Sequence, residues 1–316
     1  MSRVALLAGL AALVAVMWGL SFASRRLEAV AAGVAPLEPR RFDRLTAVAA
    51  GTGGTFENHL RLGPTVAVGL GDTVVLVDAG RATAQALRRA KVPVTQPRVV
   101  LLTSLLPENV VGVDDWWAGA ALEEAPPEPL RVVGPPGTRA LVEGLRAAHA
   151  AGVAASSASF GRGAPALEGV EVEGGHALDV GTLSARAFAQ RGGPLPALAW
   201  RLEGGGRAAT VSSAGWDPEA LVEAARGADL WLHEALYGAS LEAARGAGLS
   251  EAAAREAALH TRLEEVGALA TRAGARRLAL LRLRPPPVYD VQYRRVLGRS
   301  YRGAVDIAAD GDELTP

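Results

Sequence analysis

Hydrophobic and polar positions divide the chain into an apolar leader and a longer body of short alternating segments. Val4–Ala23 carries no charge and as a helix would span about 30 Å, the thickness of a hydrocarbon core. Trp18 and Phe22 lie near its C-terminal end, where aromatic rings favour the headgroup region. The run is long for a signal-peptide core and is followed directly by Arg25 and Arg26, which favours an uncleaved anchor. Small residues at Ser21 and Ala23 leave a cleaved signal peptide open. Residues 1–23 are therefore expected to be a membrane anchor or signal peptide, residues 24–42 an amphipathic stretch and linker, and residues 43–316 one domain. That domain is expected to be membrane-anchored and periplasmic, with the cytoplasmic side left open.

In the body, Thr65–Leu70 and Thr73–Val77 flank a Gly71-Asp72 turn and predict a hairpin. A helix around Thr83–Ala90 and a buried strand over Arg98–Thr103 follow. Leu130–Val133 predicts a strand, about Thr138 to Ala150 a helix, and the Gly/Ser/Ala-rich stretch after it a loop. Leu183–Ala189, Ala197–Glu203 and Ala208–Ser212 predict strands. Asp217 caps a helix through Arg226, Asp229–His233 is a strand, and helices are expected at about 240–258 and 262–273. Arg277–Leu283 is a last strand stopped by Pro285, Pro286 and Pro287. Strands in two clusters with helices between them suggest two sheets sandwiched by helices, an α/β class.

Charge removes some chemistry from this picture. The 33 Lys and Arg balance 33 Asp and Glu, so no whole-molecule field draws the chain to nucleic acid, and none is expected as a partner. Lys91 is the only lysine, and this bias toward Ala, Gly, Pro and Arg fits a GC-rich coding sequence. With no cysteine there is no disulfide framework and no thiolate ligand.

Six segments, in order, resemble the metallo-β-lactamase superfamily in its arylsulfatase and ribonuclease Z branch. They are Gly51-Thr52-Gly53-Gly54 with Arg61-Leu62-Gly63-Pro64, Val75 through Gly80, Gly134 through Thr138, Ala228 through Ala235, His260-Thr261, and Ala309-Asp310-Gly311. The resemblance covers residues 43–316 and implies a four-layer αββα sandwich preceded by one hydrophobic helix. It also implies a hydrolase centre in which His and Asp side chains hold two metal ions, usually zinc, that activate water.

At the matched positions the ligands are absent. The family's Thr-His-x-His-x-Asp-His stretch falls on Thr103 through Asn109, so Ser104, Leu106 and Asn109 stand for histidines and Glu108 for the aspartate. A further histidine falls on Arg191, the bridging aspartate on Ala214, and the last histidine on Arg282. The five histidines of the chain are His59, His149, His176, His233 and His260, none of them between Ser104 and Asn109. Zinc needs three or four donors converging at about 2 Å, so neither a metal nor another cofactor is expected.

Asp78 is expected to accept backbone amides at a strand end, and His233 to be a satisfied core histidine. Glu234 and His260, beside the metals in the resembled branch, are the candidate catalytic acid/base pair, or else hydrogen-bond each other to hold two loops. Glu108, Asn109, Arg191 and Arg282 are the candidate anion-binding residues at the vacated metal site. Alternatively, Arg191 and Arg282 pair with Glu108 and Glu234 and close it. Trp116, Trp117 and Trp216 either line a pocket or pack in the core. The resulting expectation is a non-catalytic pseudoenzyme at the membrane that binds a small anion or a partner protein. The alternative is an ester, sulfate or phosphate-ester hydrolase working without zinc through Glu234 and His260, so whether the chain is an enzyme stays open.

Overall fold

The computed structural model describes all residues except 1–2, 55–59, 124–127, 162, 214, 238–245, 247, 249, 258 and 285–288. The chain divides into two compact units, residues 1–38 and 39–316. The first is helix α1 (Arg3–Val34), which runs on through Arg25, Arg26 and Glu28. Among the described residues no helix is long and apolar enough to cross a membrane. The expected anchor is corrected on that ground.

The second unit contains two seven-stranded sheets. Its first half is built from β1 (Phe42–Gly51), β2 (Thr65–Gly71), β3 (Thr73–Val77), α2 (Thr83–Arg89), β4 (Val99–Leu101), α3 (Pro107–Val110), α4 (Val113–Leu122), β5 (Leu130–Gly134), α5 (Thr138–Phe160) and β6 (Leu167–Glu171). Its second half is built from β7 (Ala177–Val180), β8 (Leu183–Gln190), β9 (Ala197–Gly204), β10 (Arg207–Val211), α6 (Pro218–Ala224), β11 (Leu230–His233), α7 (Glu251–Ala257), α8 (Leu263–Ala273), β12 (Arg277–Leu280), α9 (Asp290–Leu297), β13 (Ala304–Ile307) and β14 (Asp312–Leu314). The strand orders are β14-β1-β2-β3-β4-β5-β6 and β13-β12-β11-β10-β9-β8-β7. In each sheet one half is antiparallel and the other parallel: β3 through β6 in the first, β10 through β13 in the second.

The layering follows from strand periodicity. Along β1, Leu45, Ala47 and Ala49 enter the core between the sheets, while Val48 and Ala50 enter the layer beneath the helices. Both faces are thus covered, which is why the strands read as continuous apolar runs. Helices α2, α4 and α5 cover the first sheet, with Leu87, Trp116 and Val142 buried against it. Helices α6, α8 and α9 cover the second through Leu221, Val266 and Leu297. Trp116 is a core residue of the first outer layer, and Trp117 is buried with its indole N–H donating to the Pro165 carbonyl at 2.8 Å.

The expected strands and the four-layer α/β sandwich are present. The stretch after Ala150, expected as a loop, continues α5 to Phe160, because its alanines are strong helix formers and Gly161 supplies the left-handed stop at φ 66°. Most of the helix expected at 240–258, and the stop at Pro285–Pro287, lie outside the described residues.

Candidate functional site

The candidate residues lie where the parallel strands of both sheets end, the edge at which open α/β sheets present side chains to ligands. Asp78 follows β3, Thr103 through Asn109 follow β4, Ser212 and Ser213 follow β10, Glu234 follows β11, and Arg282 follows β12. Ala214, the position matched to the bridging aspartate, lies outside the described residues, as does His59.

At the centre, Arg282 is fully buried. Its Nη1 donates to Asn109 Oδ1 at 2.7 Å and its Nη2 to Asp78 Oδ2. Asp78 also accepts from the Thr103 amide and hydroxyl, each at 2.7 Å. Asn109 Nδ2 donates to Ser104 Oγ at 2.8 Å, and Thr103 shares a hydrogen bond of 2.7 Å with Ser213. Burial pushes the Asp78 carboxyl above its ordinary value, against the pull of the Arg282 guanidinium and the Thr103 donors. The Asp78 backbone-amide role expected from sequence is present, and the arginine is added to it.

A second pair lies beside the first. Arg284 Nη2 bridges both Glu108 oxygens at 3.0 and 3.1 Å, in surroundings almost as closed. The arginine expected on Glu108 was Arg191 or Arg282. The structure instead gives Glu108 to Arg284, a residue the sequence reading did not single out although it stands two positions after Arg282. Arg191 is exposed at the end of β8, and its backbone N–H, not its guanidinium, meets Asp217 Oδ2 at 3.0 Å. It is therefore not brought together with Arg282 in an ionic cluster.

Glu234 and His260 do face each other, Glu234 Oε2 lying 2.7 Å from His260 Nδ1, with both side chains nearly closed to solvent. Burial pushes the Glu234 carboxyl up, but the facing His260, together with His233 and Arg284 nearby, holds the group below its ordinary value. Glu234 Oε1 is buried without a hydrogen-bond partner. His233 is held on both sides, by Ser212 Oγ at 2.9 Å and Thr261 Oγ1 at 2.8 Å, and burial lowers its pKa to about 4. It is a neutral core histidine whose two nitrogens are both spoken for.

The donor set can be compared with what a zinc pair requires. The positions matched to metal ligands carry Ser104, Leu106, Glu108, Asn109, Arg191 and Arg282, and a buried guanidinium bonded to Asp78 stands among them. No group of three or more His, Cys, Asp or Glu residues placed to hold a metal occurs among the described residues. Cationic, non-ligating side chains do not fit a dinuclear centre.

Comparison with known proteins gives the class. No family model matches the chain. A protein named Ribonuclease Z from Mycobacterium bovis (strain BCG / Pasteur 1173P2) is 26% identical over 281 residues, covering 82% of this chain and 94% of its own length. Among solved structures, the metallo-β-lactamase fold protein YhfI from Bacillus subtilis superposes with a TM-score of 0.67 at 18% identity, covering 87% of this chain and 100% of that one. The short form of human tRNase Z (ELAC1) gives 0.63 at 15% identity, with 85% and 98% covered. The fold is a metallo-β-lactamase fold, similar to that of ribonuclease Z.

These likenesses correct the expectation of a membrane pseudoenzyme that binds a small anion or partner protein and has no nucleic-acid partner. The curated relative reported above, matched along 94% of its own length, is named Ribonuclease Z. The exclusion rested on net charge and on a short stretch between Ala150 and Gly169 that offers no basic arm, and net charge sums over the molecule without reporting how cations are distributed on one face.

Proposed function

We propose that the chain recognises an RNA through its ribonuclease Z-like fold, at a centre organised by arginine–carboxylate pairs in place of a metal pair. The observation that carries this reading is the fully buried Arg282 bonded to Asp78 and Asn109, in a loop cluster whose matched ligand positions carry no imidazole. The RNA class is supported by the relatives named Ribonuclease Z. The Glu108 carboxylate, the Asn109 amide and both terminal nitrogens of the fully buried Arg282 are spent on internal bonds, which removes them as takers of a ligand anion. Arg191 is different. Its guanidinium is exposed at the site edge, in the form suited to a bidentate contact with a phosphate. Glu234 and His260 are the candidate acid/base pair, with the carboxylate fixing the tautomer of the imidazole it faces.

The test is binding of a fluorescent precursor tRNA to the full chain in EDTA, followed across a salt series, with cleavage read on the same samples. Binding in EDTA that weakens with salt and weakens again in Arg191→Ala is expected. Absence of RNA binding would overturn the RNA class. Binding or cleavage that requires stoichiometric zinc would overturn the arginine-organised centre.

A further inference from the structure

Beside the centre, between the end of β8, the loop into β9 and helix α6, lies a cavity of about 650 Å³. Its size is that of a site for a small organic molecule or one unit of a polymer. Gln190, the last residue of β8, lines it while remaining only 4% exposed. Both the Nε2 and the Oε1 of this side chain are buried without a hydrogen-bond partner. A buried amide with neither donor nor acceptor satisfied is unfavourable, and proteins keep such groups where function requires them.

The rest of the wall narrows the ligand class. Phe188 and Pro196 provide flat apolar surface. Glu173, Asp217, Glu219 and Glu223 line it with only Arg186 and Arg191 as cations, and Glu219 is already paired with Arg272, so the wall is net acidic and a free anion inside the cavity is disfavoured. A neutral, planar group with a donor beside an acceptor is the complement of a glutamine amide between flat apolar walls. A nucleobase has that form, and an amide side chain reads its edge with two hydrogen bonds. Arg191 at the rim stands where the attached phosphate would remain outside.

Resting on the RNA reading above, we propose that this cavity takes one unstacked nucleobase of the bound RNA, with Gln190 turning its amide to the base edge. The glutamine is thus a specificity residue bought at a cost to stability in the free protein. That trade gives a signature that a purely structural glutamine lacks. Replacing Gln190 with an apolar residue of similar size removes two unsatisfied atoms and so should stabilise the fold while weakening base binding.

The experiment measures adenosine, cytidine, guanosine and uridine binding to the full chain by calorimetry, their competition with labelled precursor tRNA, and the melting temperature. Wild type, Gln190→Leu and Gln190→Met are compared, the second variant guarding against a poor fit of the first. The expected result is that at least one nucleoside binds and competes, that both variants lose tenfold or more of that affinity, and that their melting temperature rises by a few degrees. A lower melting temperature in both variants would show a structural partner for the amide and overturn the proposal. Nucleoside binding unchanged in the variants, or none in wild type while RNA still binds, would overturn the base pocket and leave the RNA reading standing. Nucleoside binding without RNA binding would keep the pocket and remove the RNA reading, and neither binding would remove both.

Discussion

Asp78 and Arg282, the two ends of the buried ion pair, both have left-handed backbone, at φ 59° and 54°. Each closes a central strand of its own sheet, Asp78 after β3 and Arg282 after β12. Asp tolerates this conformation through local hydrogen bonds, whereas for Arg it is unfavourable by about 1 kcal/mol. The surrounding bonds, including the Arg282 amide to the Thr52 carbonyl at 2.8 Å, hold it there.

Removing the cation should therefore be costly. Arg282→Met is expected to lower unfolding stability by about 3–5 kcal/mol, because it strands the Asp78 carboxylate in a closed site. Adding Asp78→Asn should recover part of the loss, since it removes the unpaired charge, leaves the Thr103 amide an oxygen acceptor and lets the Thr103 hydroxyl turn to accept from the new amide N–H. Urea titration of the two variants checks both numbers. A loss under 1 kcal/mol in the single variant would contradict the pairing.

The neighbouring pair is expected to behave as a coupled unit of its own. Arg284→Met and Glu108→Leu should each destabilise, and the double variant should lose less than the sum by about 1–3 kcal/mol. A double-mutant cycle in urea reads that difference directly, and strict additivity would show that the two do not interact.

Acid should unfold the domain through two groups acting in the same direction. His233 has its folded value lowered to about 4, so between that and its ordinary value near 6.5 the unfolded chain binds the extra proton. Stability from this group rises through that window by roughly 3 kcal/mol. Glu234 is held below its ordinary value, and its contribution is present above that value and lost as pH falls through the folded one. Stability measured from pH 7 to pH 4 should fall steeply in wild type and less in His233→Leu, whereas Glu234→Gln should flatten the further fall below about pH 4.5.

Zinc at a moderate excess should leave the melting temperature unchanged, because a ligand raises it only by binding the native state better than the unfolded one. Surface binding at His149 or His176 is checked by removing those imidazoles. A rise of several degrees that survives their removal would place a metal at the centre after all.

Much of the architecture was legible in the sequence because β2, β3 and β10 through β12 carry apolar runs bounded by Gly, Asp or Pro. The extent of α5 was not, since its last turns are Ser and Ala with no apolar stripe to mark them. At the site, Ser104, Asn109 and Arg282 could be singled out from the sequence through the family resemblance. Their partners could not. Residue type says that a buried arginine needs a carboxylate, but only the geometry of the strand ends selects Asp78 for Arg282 and leaves Glu108 to Arg284. Gln190 gave no signal at all, because an amide at a strand end is ordinary until its surroundings are known.

The two sheets share one plan, each with an antiparallel half and a parallel half whose strands are joined by crossovers. The centre draws on the parallel parts of both, and Asp78 and Arg282 are 204 positions apart. Closing so long a loop is entropically unfavourable until both sheets have formed. The ion pair is therefore expected to form late in folding, once strands distant in the chain have been brought together. Its strength should appear in how slowly the finished protein comes apart, with little influence on how quickly it assembles.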